Sequence, residues 1–209
     1  MEKDFRMLSE KMVKEQLITR GIKSEAVLEA MRNVPRHLFV PENLQSQAYA
    51  DSPLPIGFGQ TISQPYIVAY MTEQLGLSPG VKILEIGTGS GYQAAILAYL
   101  GCEVYTIELL ENLAADAKKV FETLGLNGIK TRHGSGYAGW PEEAPFDAVI
   151  ITAAPEKIPD KLFGQLKDGG RMLVPVGQAE STQFLKLIIK EDWELVEKTL
   201  LPVRFVPMV

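Results

Sequence analysis

The chain has 209 residues and a formal net charge of −5, and 46% of its residues are hydrophobic while 22% are charged. This is the composition of an ordinary globular protein, and it excludes an intrinsically disordered chain. The acidic balance argues against a protein that coats nucleic acid, because phosphate binding needs a basic face. No run approaches the roughly 20 apolar residues that span a bilayer. We therefore expect neither nucleic acid nor membrane among its partners.

The N-terminus and the cysteine usage indicate the compartment. Residues 1–6 are mostly charged and lack the apolar stretch of a signal peptide. Cys102 is the single cysteine, so it cannot form an internal disulfide. Its apolar, strand-like surroundings favour a small buried side chain over a reactive thiol. These features predict a reduced, cytoplasmic protein.

The first third of the chain is predicted to be helical and then irregular. Residues 9–32 place apolar side chains at helical spacing, with a break at Gly21. Two prolines, Pro35 and Pro41, enclose a short segment after this helical region. Residues 50–65 are rich in Pro, Gly, Ser and Gln and predict an irregular loop, whose length and apolar content argue for a functional role.

From Val81 onward, short β-branched runs alternate with amphipathic stretches. Strands are predicted at Val81–Ile86, Val104–Ile107, Ile129–Arg132, Ala148–Ile151 and Arg171–Val176. Helices between them are predicted at Ala94–Leu100, Asn112–Leu124 and Lys157–Leu166. This alternation predicts an α/β fold with a doubly wound, mostly parallel sheet. Two more strands, Phe184–Lys190 and Leu195–Val206, follow without a helix between them and predict an antiparallel C-terminal edge.

We interpret the chain as one domain, 1–209. We expect residues 1–65 to form an N-terminal segment of helices and a loop, and residues 66–209 to form an α/β core.

A glycine-rich turn follows the first predicted strand of the core. Glycines at 87, 89 and 91 let the backbone turn sharply, and the following helix offers free N–H groups at its start. A dinucleotide fold would use G-x-G-x-x-G, but Tyr92 occupies the place of the third glycine, which argues against a nicotinamide-dependent oxidoreductase. The spacing resembles the first motif of class I S-adenosylmethionine-dependent methyltransferases. A tight turn without a ligand is the alternative.

Polar residues also follow the next three strands. Glu108 ends the second strand about 20 positions after the glycine turn, where a carboxylate can accept hydrogen bonds from both ribose hydroxyls. The alternative is a solvated glutamate. Residues 133–136 end the third strand and Thr152 ends the fourth. Because these ends meet at the carboxyl edge of a parallel sheet, together they favour a cofactor site.

Over essentially its whole length, the chain closely resembles the protein-L-isoaspartate O-methyltransferase family. The resemblance rests on six segments: Val34–Pro41, Gly59–Pro65, Leu84–Gly91, Ala144–Ile150, Gly169–Gly177 and Val203–Pro207. The glycine segment is shared by many methyltransferases, whereas the Gln-Thr-Ile-Ser-Gln-Pro loop is specific to this family. The resemblance implies a Rossmann-like class I methyltransferase fold.

The resemblance also implies the reaction. A methyl group passes from S-adenosylmethionine to the free α-carboxylate of an L-isoaspartyl residue, leaving S-adenosylhomocysteine, and the ester collapses to a succinimide that can reopen to aspartate. Ser63 takes the catalytic role beside the transferring methyl group, and Ile62, Ser63, Phe205 and Val206 bind the substrate peptide. The cofactor-binding residues implied are Gln60, Thr61, Ser63, Glu85, Gly87, Thr88, Gly89, Gly91, Glu108, Leu109, Gly134, Ser135, Gly136 and Thr152.

The chemistry explains which catalytic groups the sequence lacks. A carboxylate with a pKa of about 3.5–4 is already ionised at neutral pH, so the acceptor needs no general base. No metal is expected, because His37 and His133 are too few and too far apart in sequence. The remaining tasks are alignment and exclusion of water, and a serine hydroxyl can orient a carboxylate without blunting its reactivity. Without the family resemblance, Ser63 would be only a polar loop residue.

The sequence departs from the family pattern at one position. Gly134-Ser135-Gly136 stands where the family usually has Gly-Asp-Gly, whose aspartate contacts the adenine amino group. Serine is shorter and uncharged, so this departure puts cofactor affinity in doubt, and an aspartate at this position is expected to tighten cofactor binding.

Isoaspartyl peptides and proteins are the expected partners, and we expect a monomer. Two alternatives stay open: a methyltransferase of the same fold that acts on another acceptor, and a catalytically silent cofactor-binding module.

Overall fold

The computed structural model of the chain describes residues 4–209. The first three residues of the predicted segment 1–65, which include half of the charged stretch 1–6, lie outside the described residues. Within these described residues there are six α-helices: α1 (Phe5–Met12), α2 (Glu25–Asn33), α3 (Pro65–Leu75), α4 (Tyr92–Tyr99), α5 (Glu111–Thr123) and α6 (Asp160–Phe163). A π-helical turn, Val13–Leu17, and a 3₁₀ turn, Ile18–Arg20, continue α1 up to Gly21, where the backbone adopts the left-handed conformation. The predicted break at Gly21 is therefore present.

The strands form a small hairpin and a large sheet. The hairpin pairs β1 (Leu54–Gly57) with β2 (Gln60–Ile62) in antiparallel fashion. The large sheet contains β3 (Lys82–Ile86), β4 (Glu103–Glu108), β5 (Lys130–His133), β6 (Phe146–Ile151), β7 (Leu166–Val176), β8 (Gln183–Glu191) and β9 (Glu194–Val203).

The order of the large sheet is β5-β4-β3-β6-β7-β8-β9. The first five strands in this order are parallel, and β8 and β9 add an antiparallel edge. The fold class predicted from the sequence is therefore confirmed. The chain runs outward from β3 to β5 and then returns to the other side of β3. This reversal creates a crevice at the carboxyl ends of β3 and β6, which is where open α/β sheets bind ligands.

Two helices differ from the sequence-based expectation. Helix α3 was not predicted, although Pro65 at its first turn and Gly76 just past its end are typical helix boundaries. The helix predicted over 157–166 is a single turn, α6, because the backbone from Leu166 onward already pairs with β6.

Residues 50–65 are more regular than predicted. The alternation around Leu54 and Ile62 buries both side chains, which drives the pairing of β1 with β2. Gly57, Phe58 and Gly59 connect the strands, and all three have positive φ angles. Such a glycine-bounded turn is a hairpin signal that the composition of the segment obscured.

Two apolar cores lie against the large sheet. One contains side chains of α1–α4 and of the sheet, so that Met12 and Met31 belong to the same cluster as Ile83 and Val104. The other contains Leu84, Ile86, Phe146 and Leu162. Strands β3 and β6 alternate their side chains between these two cores, which explains their nearly continuous burial. Among residues 4–209, no helix is both long and apolar enough to cross a membrane.

Candidate active site

The glycine turn between β3 and α4 brings the backbone close to neighbouring strands. Gly87 has a φ of 97°, and a Cβ atom there would lie 2.5 Å from Thr152 Oγ1. A Cβ atom on Gly91 would lie 2.7 Å from the ring of Phe121. Side chains are therefore excluded from both positions, and the turn lines a cavity at the carboxyl edge of the sheet.

Glu108, at the end of β4, is held by backbone donors beside this turn. Its Oε2 accepts a hydrogen bond from the Gly89 amide at 2.7 Å, and its Oε1 accepts one from the Leu110 amide at 2.9 Å. The residue is only 7% exposed, yet it lines the cavity. Each carboxylate oxygen retains further lone pairs, so Glu108 can still accept bonds from ligand hydroxyls.

Glu85 is a second acid in the cavity wall, and it is wholly buried. Thr106 Oγ1 donates to Glu85 Oε2 at 2.5 Å and also lies 2.6 Å from Thr88 Oγ1. The other carboxyl oxygen, Glu85 Oε1, has no hydrogen-bond partner among residues 4–209. Burial raises the pKa of Glu85 to about 8; the Thr106 hydrogen bond opposes this shift, and the charge of Glu108 adds to it. A ligand cation would satisfy the unpaired oxygen.

The C-terminal tail closes the same cavity. Beyond β6, the Ala154 amide donates to the Val206 carbonyl at 2.8 Å, and the Met208 amide donates to the Ala154 carbonyl at 2.9 Å. These bonds bring the tail alongside the end of β6. Thr152 Oγ1 donates to the Gly87 carbonyl at 2.5 Å and fixes the strand end against the glycine turn.

Ser63 stands between two cavities. The first is the glycine-turn cavity, and the second is a groove between the N-terminal segment and the tail. Four residues line both of them: Thr61, Ser63, Thr152 and Val206. Ser63 is half-buried, and within residues 4–209 its hydroxyl makes no hydrogen bond to another group. The hydroxyl is therefore available to a ligand at the junction.

The groove has a cationic and aromatic lining. Its walls include Tyr66, Phe205 and two arginines, Arg20 and Arg204, and no carboxylate is among its lining residues in the described part of the chain. The Arg20 guanidinium lies 3.6 Å from the centre of the Tyr66 ring. Arg20 also pairs with Asp51 Oδ2 at 3.0 Å, whereas Arg204 has no carboxylate partner among residues 4–209, so Arg204 is the lining cation available to an anionic group.

Most of the residues singled out from the sequence lie at these two cavities. Those in the wall of the first cavity are Gln60, Thr61, Ile62, Ser63, Glu85, Gly87, Thr88, Gly89, Glu108, Leu109, Gly136, Thr152 and Val206. Phe205 lines only the groove. Gly91, Gly134 and Ser135 are not in either wall, and Ser135 Oγ instead accepts a bond from the Tyr137 amide at 3.4 Å.

Several lining residues were not found from the sequence. Tyr92 and Gln93 belong to the first turn of α4, and Pro207, Met208 and Val209 belong to the tail. The two groove arginines, Arg20 and Arg204, were also missed. Tyr92 and Gln93 directly follow the glycine motif, so their position was a usable signal, whereas the approach of the tail depends on a long-range pairing.

Comparison with known proteins decides the family. The family model of the protein-L-isoaspartate(D-aspartate) O-methyltransferases matches residues 8–209. The chain belongs to this family. A protein-L-isoaspartate O-methyltransferase of Opitutus terrae is 59% identical over 198 residues, which are 95% of this chain and 85% of that protein. One of Gloeobacter violaceus is 53% identical, over 94% of this chain and 96% of that protein.

Solved structures of protein-L-isoaspartate O-methyltransferases share the fold. One has a TM-score of 0.86 and 32% identity over 95% of this chain, which spans 65% of that longer chain. A structure from Plasmodium falciparum, described as a complex with S-adenosyl-L-homocysteine, has a TM-score of 0.83 and 25% identity over 100% of this chain and 99% of that one. The family is S-adenosylmethionine-dependent.

Proposed function

We propose that this chain transfers a methyl group from S-adenosylmethionine to the free α-carboxylate of L-isoaspartyl residues in damaged peptides and proteins, which initiates their repair. We further propose that the reaction occurs where the two cavities meet. The observation that carries this assignment is the position of Ser63, which lines both the glycine-turn cavity and the cationic groove.

The residues of the first cavity fit the cofactor. The glycine turn excludes side chains, and Glu108 has lone pairs for the ribose hydroxyls. The buried Glu85 carboxyl, which is neutral in the ligand-free protein, can lose its proton to pair with a cationic group. When it is bound, S-adenosylmethionine supplies an activated methyl group on a positively charged sulfur. The other residues expected to bind the cofactor, Gly91, Gly134 and Ser135, line neither cavity. They would contribute by setting the backbone conformation of the glycine turn and of the segment that follows β5.

The groove fits the acceptor peptide. Phe205 and Val206 provide its apolar wall, and Arg204, which is not engaged in an ion pair among residues 4–209, attracts an anion. The acceptor carboxylate is already ionised at neutral pH, so no residue has to remove a proton. Ser63 can donate its free hydroxyl to one carboxylate oxygen and leave the other oxygen directed at the cofactor. Removal of water from that second oxygen then increases its reactivity.

The decisive experiment compares two peptides that differ only in the linkage of one aspartate. The purified protein is incubated with methyl-labelled S-adenosylmethionine and either the isoaspartyl or the aspartyl peptide. We expect a base-labile methyl ester on the isoaspartyl peptide alone. Equal labelling of both peptides, or labelling of only a small-molecule acid, would indicate a different acceptor class. Tight cofactor binding without turnover would indicate a silent binding module.

A serine substitution tests the role of the junction. Ser63→Ala removes the hydroxyl and is expected to lower kcat for the isoaspartyl peptide by about 10-fold to 100-fold, with cofactor affinity changed much less. Ser181→Ala is the matched control, because Ser181 is exposed and bonds only to the nearby Gln178 carbonyl. A Ser63→Ala enzyme with unaltered kcat would remove Ser63 from the mechanism.

Three properties of the whole protein are part of the proposal. We infer a single domain, 1–209, because the N-terminal helices share an apolar core with the sheet. We infer a cytoplasmic monomer that binds neither nucleic acid nor membrane, which the net charge of −5 supports. Sedimentation of the purified protein would measure the oligomeric state.

A further inference from the structure

Arg36 is a charged side chain in the interior, outside both cavity walls. Its exposed fraction is 0%, and it begins the 3₁₀ turn Arg36–Phe39 in the proline-bounded segment. Among residues 4–209, no carboxylate pairs with it, and its Nη1 has no hydrogen-bond partner. Burial lowers the pKa of Arg36 to about 10, so the guanidinium remains charged at neutral pH. A buried, unpaired charge destabilises a fold unless its contacts compensate.

The contacts of Arg36 join three parts of the chain. Its Nε donates to the Ala48 carbonyl at 2.7 Å, and its Nη2 donates to the Ser63 carbonyl at 2.6 Å. Its Cζ also lies 4.8 Å from the centre of the Tyr92 ring. Tyr92 is the first residue of α4 and lines the glycine-turn cavity. One guanidinium therefore contacts both the loop Gly59–Pro65 and the start of helix α4.

The fork geometry of arginine is needed for this arrangement. The planar guanidinium directs two N–H groups at two carbonyls in different segments, and its face can still lie over an aromatic ring. Lysine provides a point charge that can hold one carbonyl well, and an apolar side chain holds neither. A second side-chain contact of the loop is at the surface, where Gln64 Nε2 donates to Asp51 Oδ1 at 2.7 Å. By contrast, the hydrogen bond from Arg36 to the Ser63 carbonyl comes from a wholly buried side chain, which shields it from water.

We propose that Arg36 is a positioning residue for methyl transfer, which fixes the Ser63 backbone relative to Tyr92 and so sets the acceptor carboxylate in line with the methyl group. This inference rests on the proposed function of Ser63. Arg36 lies in neither cavity wall, so its effect passes through Ser63 rather than through contact with the peptide or the cofactor. Small displacements at a reacting centre reduce the rate strongly, by about 100-fold for about 1 Å.

The test compares Arg36→Met with Arg36→Lys. Methionine approximates the volume but removes both donors, and we expect about a 100-fold loss of kcat for the isoaspartyl peptide. Lysine keeps the charge and one donor, and we expect about a 10-fold loss. The cofactor Kd, measured by calorimetry, is expected to stay within about 3-fold in both variants, because the first cavity keeps its own contacts. This graded loss in kcat is what a positioning role predicts.

Two controls separate positioning from general damage. Arg32→Lys changes an arginine of helix α2 whose side chain pairs with Glu10 and Glu25. Arg32 does not contact Ser63 or Tyr92, so wild-type kinetics are expected. Leu28→Ala creates a cavity in α2 and lowers stability without touching a loop contact. Equal losses of peptide turnover and cofactor affinity in the Arg36 variants, matching those of Leu28→Ala at equal stability, would overturn the proposal.

A measurement on the wild-type protein covers variants that do not fold. With ¹⁵N-labelled arginine, the Arg36 side-chain signals should exchange slowly with water. They should shift when an isoaspartyl peptide binds over S-adenosylhomocysteine, and an aspartyl peptide should leave them in place. Arg36 side-chain signals that do not shift when the isoaspartyl peptide binds would overturn the inference. A wild-type protein that forms no ester would instead contradict the proposed function, whereas an active Arg36→Met enzyme would contradict only the role of Arg36.

Discussion

Two wholly buried ionisable residues, Arg36 and Glu85, lie close to the first cavity, and they have opposite surroundings. Arg36 stays charged and donates hydrogen bonds to two backbone carbonyls. Glu85 has one hydroxyl donor and an unpaired oxygen, so burial favours its neutral form. The cavity wall therefore contains an acid whose proton a cationic ligand can displace.

This state of Glu85 makes the stability of the ligand-free protein depend on pH. The unfolded chain ionises Glu85 above about pH 4.5, whereas the folded chain keeps its proton up to a pKa of about 8. Between these values the folded state binds more protons, so its stability falls as pH rises, by at most about 1.4 kcal/mol per pH unit. Glu85→Gln removes this dependence.

Urea unfolding at several pH values between 5 and 8 measures the effect as a difference between variants. We expect the free energy of unfolding of Glu85→Gln, relative to wild type, to increase steadily with pH. Glu122→Gln, which changes an exposed carboxyl on α5, is the control and should run parallel to wild type. Parallel curves for Glu85→Gln as well would show that Glu85 is ionised in the folded protein.

At the scale of elements, the hairpin β1–β2 brings residues 60–63 to the wall of the first cavity. Leu54 and Ile62 anchor its two strands in the core, while Phe58 at its tip is 57% exposed. Gln60, Thr61 and Ser63 face the first cavity, so ligands that occupy both cavities contact the strand next to the tip. Local opening of the hairpin should therefore become rarer when ligands bind.

Limited proteolysis with chymotrypsin measures this opening at Phe58. With S-adenosylhomocysteine and isoaspartyl peptide at about ten times their dissociation constants, we expect about 10-fold slower cleavage. Trp193, which is 79% exposed in the β8–β9 turn and remote from both cavities, is an internal control in the same chain. Slowing at both sites would indicate inhibition of the protease, and an unchanged rate at Phe58 would mean that the loop is preformed.

Local patterns in the sequence predicted the elements of the sheet, because β-branched runs and amphipathic stretches alternate at short range. The glycine turn and Glu108 were likewise readable, since their spacing follows from how β3, α4 and β4 connect. The role of Arg36 was not, because its partners Ala48 and Ser63 are 12 and 27 positions away. The return of the tail to Ala154 depends in the same way on a pairing that no local pattern contains.

At the scale of the molecule, the N-terminal segment and the sheet form a common core. Met12 and Met31 pack in the same cluster as Ile83 and Val104, and Arg36 ties this segment to Ser63. Exposing either part to water would uncover apolar surface of the other. This arrangement predicts that segment 1–65 does not unfold independently of the core 66–209.

Native-state hydrogen exchange tests this cooperativity in full. Amides of α2 and of β3 should show the same opening free energy, and Met31→Ala should lower both by about 3 kcal/mol, because the lost packing belongs to their shared cluster. The control Leu162→Ala alters the core on the opposite face of the sheet and should also lower both equally. If Met31→Ala weakened α2 while leaving β3 unchanged, the N-terminal segment would be a separate folding unit.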